Sequence, residues 1–354
     1  MRLGIRLLII IAFTLLLSSP GIVRKGSADS GANHQGRNSH FGVSGGNVND
    51  ITKRFCCSGT LGSLVTDGAN SYVLSNNHVL GLSGQARAGD DISQPGLVDN
   101  GCRVSTVVAD FTAAPQLGSS NVDAAVAQLI SGAMDATGFI EDIGVPSSIV
   151  ASPAVGMSVA KSGRTTGFTM GTIASINTSV SVQYQRSCGQ GKKFVVSYTN
   201  QVVINSSTFS AGGDSGSLIV TNDSNHQPVA LLFAGSSTTT IGNPIGEVLT
   251  KVGVALGRSV SVVGTTQGPS IETLADGSPL PQDVQLAHEV KNRHEQELML
   301  LPGVIGAGVG ASEDGSEGAI MVYLDRTAGR FPVLPERMEN VKVRAVFTEP
   351  FVAR

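Results

Sequence analysis

Residues 210–220 read SAGGDSGSLIV. Two glycines precede an aspartate, a serine and a further glycine, and an apolar run begins directly after them. Gly, Asp and Ser are the residues of tight surface turns, whereas SLIV reads as a buried strand. Ser215 is therefore either a turn residue or a nucleophile, and the rest of the chain has to decide.

At 354 residues the chain exceeds one ordinary domain. A formal net charge of -3 with 14 % charged residues gives no basic field, so no nucleic-acid partner is expected. The chain carries 44 glycines and no Trp, with many Ser, Thr and Val residues. That composition suits short strands joined by tight turns, and β structure should dominate.

Arg2 and Arg6 stand ahead of an apolar run from Leu7 to Leu17, followed by small residues. This is the layout of a secretory signal peptide over residues 1–28, with cleavage after Gly21 or after Ala28. An uncleaved anchor is the alternative, although the run is short for a stable span; no later segment is apolar for long enough. The reading places the protein outside the cytoplasm, secreted or periplasmic. Cys56, Cys57, Cys102 and Cys188 fit a compartment in which disulfides persist. Three pairings are possible for two bonds, and a bond between the adjacent Cys56 and Cys57 is disfavoured by disulfide geometry.

Residues 29–54 are polar and rich in Gly, Ser and Asn, and read as a flexible leader. From 55 to 258 short apolar runs alternate with turn signals, among them GTLGSLV, SYVLSNN, DAAVAQL, KFVVSY and VALLFAG. This spacing predicts two small barrels, over about 55–150 and 151–258. A Gly, Pro and Ser linker covers 259–283. Residues 284–354 change character: a helical pattern ending at Pro302 and Gly303, then the strand patterns VIGAGVG, AIMVYL and VKVRAVF. They predict a separate small α+β domain, so the expected fold class is an all-β double β-barrel followed by that domain.

Of the six histidines only His78, in YVLSNNHVLG, directly follows a strand pattern. Asp123 enters the strand pattern NVDAAVAQL, and Ser215 comes third. A serine hydroxyl becomes a competent nucleophile when an imidazole takes its proton, and a carboxylate fixes the tautomer of that imidazole and stabilises its charged form. The order His, Asp, Ser supplies all three parts. A tetrahedral oxyanion needs two converging backbone N–H donors, which Gly213 and Ser215 would offer, with no Cβ at 213 to obstruct the approach. The G-x-S-x-G pattern of α/β-hydrolases is not met, because the fifth residue is Ser217.

SNNHVL, VDAAVAQL and GGDSGSLIV, in that order, resemble the three catalytic motifs of chymotrypsin-fold serine peptidases. The segment KSGRTTGFTMGTI at 161–173 resembles the second-barrel hairpin of bacterial secreted peptidases of the α-lytic protease and streptogrisin type. The resemblance spans roughly Cys57 to Leu256. It implies two six-stranded barrels with the site between them, a Ser215–His78–Asp123 triad, no cofactor and no metal, and a protein or peptide substrate. It also implies that Lys161 pairs with Asp214 to hold the oxyanion loop. The cysteines that staple the hairpin in such relatives are replaced by Ala160 and Met170. The serine that supports their catalytic aspartate is replaced by Ala234, removing a hydrogen bond.

Phe209, Ser210, Phe233 and Gly235 are the expected substrate-pocket residues, with a small or apolar residue preferred before the scissile bond. The strand LLFAGS would bind the substrate backbone by strand addition. The rival reading is the same scaffold used for binding alone, or for processing only itself. The C-terminal segment carries no recognisable catalytic group, and its partner is not legible in the sequence.

Overall fold

The computed structural model describes residues 34–36, 38–266 and 282–353. The segment read as a signal peptide lies outside the described residues.

The first sheet closes on itself. Its strands are β1 (Val43–Asn47), β2 (Gly59–Leu61), β3 (Ser63–Thr66), β4 (Ser71–Ser75), β5 (Asp91–Gln94), β6 (Thr106–Ala113) and β7 (Ala125–Leu129). β2 pairs with β1 and β3 with β4, and the ring continues through β7, β6 and β5 back to β1. β2 and β3 are one strand bent at Gly62, whose N–H donates to Leu74 O at 3.0 Å. A Cβ at Gly62 would lie 1.8 Å from the Gly216 carbonyl oxygen, so only glycine lets this bend meet the Ser215 loop. Leu64, Val73, Leu74, Val108 and Val126 are buried in the hydrophobic cluster around this ring.

The second sheet contains another six-stranded ring. β8 (Ser158–Gly163), β9 (Gly167–Ser187), β10 (Gln190–Asn205), β11 (Leu218–Thr221), β12 (Pro228–Gly235) and β13 (Thr239–Pro244) pair in the cyclic order β8-β9-β10-β13-β12-β11. Val159, Ile173, Val202, Phe209, Ile219 and Leu232 form its core. The helix α2 (Ile245–Leu256) follows α1 (Asn77–Leu80) in the chain and packs Val248 and Val252 against the first barrel's core. It stops at Gly257, which takes the left-handed conformation at φ 69°. The double β-barrel of chymotrypsin type is thus present, and the expected all-β class holds.

Two segments differ from their sequence reading. The stretch read as a flexible leader contains β1, a buried strand that, among the described residues, is the only link between β2 and β5 in the ring. VSGGN carries no alternation because the space is narrow: a Cβ at Gly45 would lie 2.4 Å from Leu61 Cγ. Within the segment read as a linker, β14 (Ser261–Val262) pairs with β3, extending the first sheet.

The C-terminal elements form a small α+β layer that continues the second sheet. They are α3 (Gln282–Met299), β15 (Val304–Ala311), β16 (Gly318–Asp325), β17 (Arg337–Met338), β18 (Val341–Thr348) and β19 (Phe351–Ala353). Val284, Ala287, Val290 and Leu298 of α3 bury against Ala307, Val309, Ile320 and Val322 of the sheet. One edge of the long β9 takes three partners in turn: β8 over Gly167–Thr172, β15 over Ser175–Val180, and β19 at Val182–Gln183. The expected separate domain is joined to the second barrel by backbone hydrogen bonds, because β9 extends past β8 and leaves an edge that β15 covers.

Candidate active site

His78 sits in α1, the short turn that follows β4. Asp123 stands two residues before β7, and its main chain is fixed from both sides. Its N–H donates to Asn243 Oδ1 at 2.9 Å, and its carbonyl accepts from Asn76 Nδ2 at 2.7 Å. His78 Nδ1 donates to Asp123 Oδ2 at 2.6 Å and the His78 backbone N–H to Oδ1 at 3.2 Å. Asp123 is fully buried, so its charge acts in a low-dielectric setting where such bonds are strong.

Ser215 lies in the turn before β11. Its Oγ donates to Phe233 O at 3.3 Å, and its carbonyl accepts the Thr60 N–H of the first barrel at 2.8 Å. The serine is thereby held at the seam between the barrels. Gly213 has φ +99°, and a Cβ there would lie 2.5 Å from Thr165 Oγ1, so conformation and space both demand glycine. Among the described residues, neither the Gly213 nor the Ser215 N–H donates to a protein acceptor, leaving both as candidate oxyanion donors.

Lys161 and Asp214 come together, but at 3.7 Å. The Thr166 hydroxyl stands between them: it accepts from Lys161 Nζ and donates to Asp214 Oδ2 at 2.8 Å. Asp214 further accepts the N–H groups of Thr165 (2.8 Å), Thr166 (3.1 Å) and Ala211 (2.9 Å). The loop is therefore held mainly by neutral donors, with Lys161 acting through Thr166. Burial pushes the Lys161 amine down to about 8, against the pull of Asp214.

A cleft of about 330 Å³ opens beside His78, lined also by Arg164, Gly212, Gly213, Tyr184 and Ala353 among others. None of the expected pocket residues lines it. Phe209 and Phe233 are fully buried, each in a hydrophobic cluster of the second sheet. Ser210 Oγ bonds to Thr240 Oγ1 at 2.6 Å, and Gly235 is taken up in strand pairing. A strand's side chains alternate between faces, and Phe233 in β12 takes the inward one, while Phe209, in the loop after β10, packs into the second barrel's core.

Several residues of the site escaped the sequence reading. Tyr184 donates its hydroxyl to Asp123 Oδ2 at 2.8 Å and bonds the Tyr198 hydroxyl at 2.6 Å. Burial, then the Asp123 charge, holds the Tyr184 phenol well above its ordinary range, so it stays a donor. Arg164 grips Asp99 with two bonds of 2.6 Å, tying the β8–β9 turn to the first barrel beside the Gly213–Ser215 turn. Asp50, also lining the cleft, is pushed up to about 6 by burial, against the lowering influence of His78. The cysteines pair as Cys56–Cys102 and Cys57–Cys188. Ala160 and Met170 face each other across β8 and β9, where the resemblance implies a missing staple.

Residues 105–266 match the family profile of the Nal1 C-terminal domain. The chain is similar to a solved glutamic acid specific serine protease, with 22 % identity and a TM-score of 0.43 over 63 % of this chain and 98 % of that one. It is also similar to Thermobifida fusca Protease A, at 19 % identity and 0.43 over 64 % and 99 %. The corresponding values for an alpha-lytic protease homolog are 21 % and 0.40, over 62 % and 97 %. No curated protein matches.

Proposed function

We propose that the chain is an exported serine endopeptidase. Ser215 Oγ attacks the carbonyl carbon of a peptide bond while His78 takes its proton; the imidazole, held by buried Asp123, then returns that proton to the leaving amine. The N–H groups of Gly213 and Ser215 receive the oxyanion. Water, activated in turn by His78, releases the acyl group from Ser215.

The observation that carries this reading is the 2.6 Å bond from His78 Nδ1 to a fully buried Asp123, at a cleft that Gly213 also lines. A carboxylate buried against an imidazole is a costly arrangement in a scaffold used only for binding. Two disulfides support an oxidising compartment. Among the described residues, no helix is long and apolar enough to cross a membrane.

The test is covalent labelling by a fluorophosphonate, read by intact mass. A single adduct that disappears in Ser215→Ala is expected. The reading fails when neither the intact folded chain nor one shortened ahead of Phe351 forms a Ser215-dependent adduct.

A further inference from the structure

Strand β12 has two edges at Ala234 and Gly235. One edge pairs with β13, Ala234 opposite Ile241 and Gly235 opposite Thr240. On the other edge, β11 pairs only as far as Leu231, and the stretch beyond is left open by the second barrel itself. The chain's own β19 fills that opening, antiparallel, with Gly235 opposite Val352 and Ala234 opposite Ala353. This is the strand to which an extended peptide would add.

The direction and position of β19 are those of a substrate. Running from Val352 to Ala353 it passes from Gly235 to Ala234, next to Phe233, whose carbonyl accepts the Ser215 hydroxyl. Ala353 lines the cleft together with His78 and Gly213. Two residues upstream, Phe351 is 1 % exposed and meets Tyr323 edge to face at 5.9 Å. On its far side β19 pairs in parallel with β9, Phe351 opposite Val182 and Val352 opposite Gln183. The approach is tied down by Ser237 to Glu349 and Ser236 to Thr348, each at 2.5 Å.

We propose that Phe351–Ala353 is a substrate-like strand bound in cis, which closes the cleft and shows the class of peptide the cleft accepts. That class is an extended chain with a small aliphatic residue next to Ser215 and a β-branched residue before it. The inference rests on the role given to Ser215 above. Main-chain pairing supplies affinity and the side-chain positions supply selectivity. Because the ligand is part of the chain, its effective concentration is millimolar or higher, and a free peptide competes poorly.

The test compares the intact chain with one ending at Glu349, using the p-nitroanilide of a blocked Phe-Val-Ala peptide as substrate and a free peptide EPFVA as competitor. Shortening should raise kcat/KM by about a hundred-fold, and EPFVA should inhibit the shortened chain far more than the intact one. Equal rates in two chains that both label at Ser215 would overturn the inference while leaving the peptidase reading intact. Binding is read separately, by anisotropy of fluorescent EPFVA on the shortened Ser215→Ala chain. Binding there, together with no fluorophosphonate adduct on the chains that keep Ser215, would remove catalysis and support the occupied groove; no binding to the folded chain would overturn it. Should the shortened chain not fold, the full-length Val352→Pro variant replaces it. Val352 has a strand on either side, so losing its N–H breaks one ladder, and the same activation is expected.

Discussion

The Tyr184 hydroxyl donates to Asp123 Oδ2 at 2.8 Å, and Ala234 stands in β12 where the resemblance implies a supporting serine. Where the resemblance implies a donor from β12, Asp123 thus receives one from β9, which Tyr198 backs at 2.6 Å. A hydrogen bond to a charged group contributes about 1.5–3 kcal/mol. Tyr184→Phe should therefore lower kcat by about ten-fold or more with little change in KM, since Tyr184 acts through Asp123 and His78. An effect confined to KM would show that Tyr184 only shapes the cleft.

Arg164 and Asp99 join the barrels beside the Gly213–Ser215 turn, with the Asp99 side chain 1 % exposed and also receiving the Ser44 hydroxyl. Removing one partner leaves the other charge buried and unpaired. Arg164→Ala should cost about 3 kcal/mol in urea unfolding. Adding Asp99→Ala should recover part of the loss, because the stranded carboxylate is gone. Arg164→Lys should not substitute, since a single ammonium cannot make both bonds.

Asp50 gives a pH dependence of defined sign. Burial raises its carboxyl from 3.8 to about 6, so the folded chain prefers the neutral form. Its favourable contribution is complete below about 4 and is lost as pH rises through 6. Asp50→Asn keeps the group neutral throughout. Its stability relative to the unsubstituted chain should improve between pH 4 and pH 7 by about 2 kcal/mol, measured by denaturant unfolding at each pH. A constant difference would place Asp50 in solvent.

The motifs around His78, Asp123 and Ser215 were legible because each couples a chemical residue to a strand boundary, a pattern set locally. What was not legible depends on pairs formed at a distance. β1 holds one large apolar residue, Val43, and its role follows from the narrow gap beside Leu61. Tyr184 lies in the polar stretch SVQYQRS, opposite Phe194 in the paired run of β9 and β10, and it meets Asp123 only across the fold. Phe209 and Phe233 were assigned to the pocket by position, yet the side that Phe233 faces in β12 changes with a shift of one, and Phe209 lies in a loop that folds into the core. Phe351–Ala353 is too short to signal a strand, and its partners lie far away in sequence.

The two disulfides should differ in what they contribute. Cys57–Cys188 spans 131 residues and Cys56–Cys102 spans 46. The loop-closure relation gives about 5 kcal/mol for the longer and about 4 kcal/mol for the shorter. Replacing Cys57 and Cys188 by Ala should thus lower stability about 1 kcal/mol more than replacing Cys56 and Cys102, in parallel denaturant titrations. The reverse order would show that local packing near Phe55 and Gly189, not chain entropy, sets the difference.

Thr166 carries the last prediction, because it stands where a direct ion pair was expected. Its hydroxyl accepts from Lys161 and donates to Asp214, and among the described residues Lys161 Nζ otherwise bonds only Gly167 O, at 2.8 Å. Thr166→Val preserves shape and β-branching but removes both bonds, leaving a buried amine 3.7 Å from its carboxylate. An unmet buried donor costs about 1–3 kcal/mol. The variant should lose that much stability, and kcat should fall with it because Asp214 fixes the turn that presents Gly213 and Ser215. Thr166→Ser, which keeps the hydroxyl, should restore both. If Thr166→Val loses stability at unchanged kcat, the three backbone N–H bonds to Asp214 hold the oxyanion loop without help from Lys161.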